Sequence, residues 1–156
     1  MLSKFNICIK STNVSNSVKI FPEIYYKLNF DGRIINSFGT GVASAVIYRS
    51  DEEYWSDNLA IDNILNCNTI EYTGLILGLN KAIDLGIKNL KVESCSNLVI
   101  NQMKEIYDCK SPDLVEIYTI AKNFEKNFEY IEYLFISKEK NKRAIELCNE
   151  ISIRVK

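Results

Sequence analysis

The stretch Ile24-Tyr-Tyr-Lys-Leu-Asn-Phe-Asp-Gly32 decides the fold of this chain. Its first seven residues are mostly aromatic and branched aliphatic, which favours an extended strand. Asp31-Gly32 is a turn signal, so we expect the strand to end there. The sequence therefore predicts a first strand that carries an acidic residue at its carboxyl end.

Two further strands are predicted directly after this one. Residues 39–48 and 53–59 are rich in apolar and aromatic side chains, and a short polar break at residues 50–52 separates them. Such short breaks join antiparallel neighbours. We therefore expect the first three strands of the sheet to be antiparallel.

The rest of the chain alternates between helices and strands. Apolar residues at spacings of three and four predict helices. Asn68 or Thr69 is the expected cap of the first helix, and Gly86 its expected end. The other elements are predicted as strand 89–94, a helix after Ser96, a helix from Pro112, strand 130–136 and a helix after Arg143. The result is an α/β fold of order βββαβααβα, with a mixed five-stranded sheet flanked by helices.

Residues 1–21 are predicted to be an N-terminal appendage to a domain at 22–156. Phe5, Ile7 and Ile9 alternate with polar residues, as in a half-buried strand, and a turn-rich stretch follows at 11–17. Two interpretations stay open, an extra edge strand or a loosely held arm. In either case this segment is a candidate contact for a protein partner or for a second copy of the chain.

Composition excludes several classes of protein. The 156 residues include five cysteines but no histidine and no Cys-x-x-Cys pair, which argues against zinc fingers and disulfide scaffolds. No apolar run approaches the roughly 18 residues of a membrane span, and no signal peptide is evident. We therefore expect an intracellular protein, cytoplasmic or nuclear, without membrane contact. The formal net charge of −1 requires any polyanion to be bound by a local patch.

Four short motifs stand at the joints of the predicted order. They are Asn29-Phe-Asp-Gly32, Asn68-Thr-Ile-Glu71, Val92-Glu-Ser-Cys-Ser96 and Glu139-Lys-Asn-Lys-Arg-Ala-Ile-Glu-Leu147. In this order they resemble the Thr-Asp-Gly, Asn-x-x-Glu, Val-x-Ser-Asp-Ser and Glu-x-Asn-x-x-Ala-Asp-x-Leu motifs of type 1 ribonucleases H. Residues 24–155 thus resemble this family, including its plant-type members and the related domain of reverse transcriptases.

The resemblance implies hydrolysis of the RNA strand of an RNA/DNA hybrid by two divalent ions, which four acidic side chains hold about 3.5–4 Å apart. Asp31 and Glu71 match the first two acids and are the candidate catalytic and metal-binding residues. Cys95 and Ile145 stand at the third and fourth positions. Because a neutral thiol is a poor ligand for magnesium, we expect one weakly bound Mg²⁺ or Mn²⁺ ion, or none.

Other interpretations of these acids remain open. Taken singly, Asp31 is a turn residue and Glu71 an acid favoured at a helix start. Two neighbours could replace the missing carboxylates. Glu146 follows Ile145 but points about 100° away around a helix, and Glu93 lies on the same strand face as the third position. We favour neither replacement.

The resemblance also implies contacts with the backbone of the hybrid by Asn68, Ser96 and Asn97. Helix capping is an equal explanation for Asn and Ser at these places. The basic run Lys138–Arg143, which includes Lys140 and Asn141, could bind phosphate or form a solvated loop.

Three functions follow from these predictions. The first is a protein that binds RNA/DNA hybrid or structured RNA and has lost all or nearly all cleavage activity. The second is an active ribonuclease H with a rearranged site that uses magnesium or manganese. The third is a non-enzymatic scaffold or protein-interaction subunit, with a viral protein as one example.

Overall fold

The computed structural model describes the backbone of residues 5–8 and 19–154 and the side chains of residues 23–154. Over this part the elements are β1 (Phe5–Cys8), β2 (Lys19–Pro22), β3 (Tyr26–Ile34), β4 (Gly41–Arg49), β5 (Glu52–Ile61), α1 (Cys67–Asp84), β6 (Asn89–Ser94), α2 (Asn97–Met103), α3 (Pro112–Glu125), β7 (Tyr130–Phe135) and α4 (Lys142–Arg154), with a 3-10 turn at Lys138–Lys140. From β3 onward the predicted order βββαβααβα is confirmed.

A five-stranded mixed sheet forms the centre, with the order β5-β4-β3-β6-β7. β3, β4 and β5 pair antiparallel, whereas β6 pairs parallel with both β3 and β7. Short turns are enough for the antiparallel pairs, but a parallel pair needs a crossover connection. Helix α1 lies in the connection that brings β6 beside β3, and helices α2 and α3 connect β6 to β7. The predicted ribonuclease H-like sheet is thereby confirmed.

The N-terminal strand does not join this sheet. β1 and β2 form their own antiparallel two-stranded sheet, in which Phe5 lies opposite Pro22. Residues 5–8 thus form an extra strand, but their ladder partner is β2 and not an edge strand of the main sheet. Ile9 and residues 11–17 lie outside the described residues, and the domain boundary at 21/22 stays a prediction.

Strand β3 continues through Asp31-Gly32, where we expected it to end. It runs to Ile34, and Asp31 lies opposite Ser44 of β4. The chain reverses instead at residues 36–40, because the side-chain oxygen of Asn36 accepts hydrogen bonds from the backbone amides of Phe38 and Thr40, both at 3.0 Å. The longer strand places Asp31 within the sheet and not at a turn.

Helix α1 begins one residue after Asn66, which caps it. The Asn66 side-chain oxygen accepts a hydrogen bond from the amide of Asn68 at 2.8 Å, so the predicted cap at Asn68 or Thr69 is wrong. Several residues in a row here have capping side chains, and only the three-dimensional path selects one. The predicted helix end is confirmed, since Gly86 follows the helix with a left-handed φ of 73°.

The two faces of the sheet are covered by different helices. The larger core lies on the α1 side and includes Leu28, Phe30, Ala45, Ile47, Tyr72, Leu75, Leu79, Leu90 and Val92. A smaller cluster of Val46, Ala144 and Leu147 lies on the α4 side. No helix in the described part of the chain is long and apolar enough to cross a bilayer.

Helix α1 lies unusually close to β3 because glycines face the contact. A Cβ atom at Gly74 would lie 2.6 Å from the carbonyl oxygen of Asp31 and 3.0 Å from that of Ser44. These are backbone atoms, so a larger residue at position 74 would push the helix away from the strand.

We therefore expect Gly74→Ala to lower the free energy of unfolding by about 1–3 kcal/mol, the usual cost of overpacking, despite the higher helix propensity of alanine. Urea denaturation measures the change. Asn80→Ala, at an exposed position of the same helix, is the matched control and should leave stability unchanged or slightly raised. Equal stability of both variants would show that the contact is not tight.

Candidate active site

The first and third candidate positions, Asp31 and Cys95, meet where β3 and β6 run in parallel. Asn29 pairs with Glu93 in this ladder, so two residues further on Asp31 and Cys95 lie beside each other at the end of β6. The hydroxyl of Ser94 donates to the carbonyl oxygen of Phe30 at 2.8 Å. This bond holds the two strand ends together.

Glu71 reaches the same place through the close packing of α1. A Cβ atom at Gly32 would lie 2.4 Å from the carbonyl oxygen of Ile70, so only glycine lets this turn of the helix rest on the strand. Glu71 is the fifth residue of α1 and lies beyond its first turn. Its interpretation as an acid placed to favour a helix start is therefore wrong, as is that of Asp31 as a turn residue.

Burial raises the pKa of both retained carboxyl groups. For Asp31 the desolvation is opposed by a hydrogen bond from the Gly32 amide, by one from the Cys148 thiol and by the positive charges of Arg33 and Lys138. For Glu71 it is opposed by the hydroxyl of Ser96, which lies 2.5 Å from Oε2, and reinforced by the negative charge of Asp31. The negative charge of Asp31 thus acts on Glu71, and both acids already have hydrogen-bond partners in the chain.

Cys95 contributes a neutral group to the site. Burial raises the pKa of its thiol, a hydrogen bond with Asn141 lowers it, and the charges of Asp31 and Glu71 raise it further. The Asn141 side-chain nitrogen lies 3.4 Å from the sulfur. A thiol whose pKa lies above its ordinary value is protonated at neutral pH and does not replace a carboxylate.

Ile145 is half-buried in the first turn of α4. Both acids that could replace the missing carboxylates form ion pairs with other residues. Glu93 lies 3.5 Å from the ammonium of Lys27, and Glu146 lies 3.7 Å from the guanidinium of Arg143. The site therefore retains two carboxylates.

This set of side chains does not fit a pair of divalent ions. Among the residues that the structure describes, no three His, Cys, Asp or Glu side chains lie together in a way that could hold a metal ion. Magnesium needs oxygen ligands in near-octahedral arrangement, and two adjacent dications need more negative charge than Asp31 and Glu71 provide.

The predicted substrate-binding residues differ in accessibility. Asn97 and Lys140 are exposed and Asn68 is half-buried, whereas Ser96 and Asn141 are only 6% and 1% exposed. Capping does not explain Ser96, whose hydroxyl bonds to Glu71 and makes no cap hydrogen bond.

Burial does not support a substrate contact by Asn141, because its side-chain nitrogen is hydrogen-bonded to the Phe30 carbonyl at 3.0 Å as well as to Cys95. Asn141 therefore has a structural role beneath the site. The contacts predicted for the exposed residues stay predictions.

Sequence reasoning missed the residues that approach Asp31 from the α4 side. Cys148 and Arg33 both act on its carboxyl group, and the Arg33 guanidinium is hydrogen-bonded to Asn149 and Ser152 of α4. Arg33 could have been found, because residues two apart in a strand share a face. Cys148 could not, since nothing local indicates which turn of α4 lies over Asp31.

Comparison with known proteins identifies the family. Residues 29–151 match the family model described as "Reverse transcriptase-like". The chain belongs to the type 1 ribonuclease H family. Relatives of this ribonuclease H family member include the "Bifunctional protein Rv2228c" of Mycobacterium tuberculosis, 32% identical over 122 residues, which are 77% of this chain and 33% of that protein. The chain therefore matches about a third of the length of that relative.

Solved structures of family members are similar over most of the chain. The N-terminal ribonuclease H domain of the same mycobacterial protein gives a TM-score of 0.76 at 28% identity, covering 83% of this chain and 94% of that one. LC11-RNase H1, solved in complex with an RNA/DNA hybrid, gives 0.73 at 25% identity, covering 80% and 94%. Ribonucleases H generally use divalent metals.

The raised pKa values of Asp31 and Glu71 have a consequence for stability. A carboxyl group whose pKa is higher in the folded state favours folding when protonated, and this stability is lost as the pH rises from the unfolded pKa through the folded one. We expect Asp31→Asn to stabilise the protein at neutral pH and to have a smaller effect near pH 4, because the folded state then regains its proton and the unfolded state is partly protonated.

Urea midpoints of variant and parent, measured from about pH 4 to pH 8, check this expectation. The difference between the two midpoints at each pH isolates Asp31, because the contributions of the other titrating groups cancel. Glu52→Gln, at an exposed position of β5, is the control whose difference should stay flat. A destabilised Asp31→Asn at neutral pH would contradict the expected cost of this buried charge.

Proposed function

We propose that this chain binds RNA/DNA hybrid or structured RNA and has lost all or nearly all cleavage activity. The observation that carries the proposal is that Cys95 and Ile145 stand where the family motifs have carboxylates, and that the Cys95 thiol lies close enough to Asp31 and Glu71 for their charges to act on it. The fold of the site is retained while its ligand set is halved.

Electrostatics is the reason why activity depends on the full set. Two divalent ions about 3.5–4 Å apart repel each other, and carboxylates offset that repulsion. Asp31 and Glu71 would hold at most one Mg²⁺ or Mn²⁺ weakly, because a protonated thiol and an aliphatic group add no charge. A single weak ion does not stabilise both the attacking water and the leaving oxygen.

Nucleic-acid binding is supported by what surrounds the site and by the relatives. LC11-RNase H1 was solved with an RNA/DNA hybrid. In this chain Asn97, Lys138 and Lys140 are exposed, and they follow the carboxyl ends of β6 and β7, where the site lies. Polar and basic side chains in such positions can contact the sugar-phosphate backbone without reading sequence.

A cleavage assay tests the loss of activity. We expect no cut product from an RNA/DNA hybrid with magnesium or manganese. The double variant Cys95→Asp/Ile145→Asp, which supplies the two missing carboxylates, should gain metal-dependent cleavage. Adding Asp31→Asn to it should abolish that gain. Thermal unfolding of each variant controls for misfolding, and cleavage by the parent chain that disappears with Asp31→Asn would establish an active enzyme instead.

Binding is tested separately by salt titration. Contacts between basic side chains and phosphates release counterions, so the affinity for a hybrid should fall linearly in log K against log salt. Fluorescence anisotropy with a labelled hybrid and with a structured RNA measures the slope for each. A flat response, or no binding at low salt, would contradict the proposal and leave the interaction-subunit hypothesis. The molecular mass of the intact chain in solution then becomes the informative measurement.

A further inference from the structure

The charge balance at the site differs from that of a metal-dependent nuclease. Four carboxylates repel a phosphodiester unless metal ions lie between them. Here the two remaining acids, Asp31 and Glu71, are accompanied by two basic side chains, Arg33 and Lys138, whose positive charges act on Asp31. A phosphate approaching this site therefore meets positive charge beside the two acids.

The position of Lys138 is fixed by hydrogen bonds on both sides of it. The Ile136 amide donates to the carbonyl oxygen of Ser94 at 2.9 Å, and the Asn141 side chain contacts Cys95 at 3.4 Å. Lys138 stands between these anchors, exposed, at the start of the 3-10 turn. These anchors place Lys138 near the end of β6, and its positive charge acts on Asp31.

Arg33 supplies the second charge from below. It follows Asp31 by two residues in β3 and so shares its face of the sheet. Its guanidinium is hydrogen-bonded to Asn149 and Ser152 of α4. These bonds hold its charge in place beside Asp31, whereas Lys138, whose charge also acts on Asp31, is exposed.

We propose that Lys138 takes the place of a divalent metal ion as the cation that receives a phosphodiester at this site, with Arg33 as a fixed supporting charge. The chain then binds the backbone of a hybrid without any divalent ion. This inference rests on the proposed nucleic-acid binding function. It identifies Lys138 as the phosphate contact. It also predicts binding that does not depend on a divalent ion, unlike the metal dependence that the family implies.

The test compares the affinity of the full chain for an RNA/DNA hybrid in excess EDTA and in magnesium, at constant ionic strength. We expect the two dissociation constants to agree within about twofold, since no metal bridges the complex. Lys138→Met should weaken binding in EDTA by about tenfold at about 0.1 M salt and reduce the salt slope by about one, the effect of one phosphate contact.

Lys88→Met is the matched control. Lys88 is also exposed, but it immediately precedes β6 and so lies at the amino end of that strand, whereas the site lies at its carboxyl end. Its removal should leave the affinity within about twofold of the parent, as expected for a charge beyond one Debye length. Asp31→Asn gives an independent readout. Loss of this negative charge should preserve or tighten binding in EDTA. In magnesium, weaker binding by this variant than by the parent would indicate a complex that is bridged by metal.

Each result separates the two proposals. Binding that appears only with magnesium overturns the inference about Lys138 and leaves the proposed binding function standing. Equal binding by Lys138→Met and the parent in EDTA also overturns it, because the phosphate contact then lies elsewhere. No binding in either buffer overturns the proposed function itself. Circular dichroism of the variants establishes that a loss of affinity is not a loss of fold.

Discussion

The carbonyl oxygen of Phe30 is the contact on which the geometry of the site depends. It accepts hydrogen bonds from the Ser94 hydroxyl and from the Asn141 side chain, at 2.8 Å and 3.0 Å. One atom of β3 thereby fixes the end of β6 and the entry to α4, which carry positions 95 and 145. A buried carbonyl has two lone pairs, and here both are used. None of these bonds involves a metal ligand, so the arrangement of the four positions does not require the carboxylates.

This independence explains how the geometry of the site can form around two carboxylates. In a complete site, four acids held in a small volume destabilise the folded chain until metal ions bind. Here Cys95 and Ile145 remove two of those charges, and the two remaining acids have neutral or basic partners in Ser96, Cys148 and Arg33. Burial still raises the pKa values of Asp31 and Glu71, so some cost remains. That cost is smaller than the one that four neighbouring acids would impose.

The sequence predicted the element order, the antiparallel start of the sheet and the family, because these depend on local periodicity and on four motifs in a fixed order. It failed where several residues could serve the same local purpose. Asn66, Asn68 and Thr69 can all cap a helix, and Asp31-Gly32 is a turn signal that β4 overrides by supplying a ladder partner. It also could not place Cys148 near Asp31, since that contact joins residues more than a hundred positions apart. Periodicity reports which face of α4 is buried but not what lies beneath each turn.

Some buried polar atoms in the described part of the chain have no hydrogen-bond partner in the protein. Three buried side-chain atoms are in this state, Asn29 Oδ1, Arg33 Nε and Asn141 Oδ1. Two belong to β3 on the face of Asp31, and the third belongs to the residue that contacts Cys95. Each such atom costs about 1–3 kcal/mol when it stays unpaired in an apolar interior. All three lie around Asp31, so a polar ligand or a water molecule bound at this end of the sheet would supply the missing hydrogen bonds.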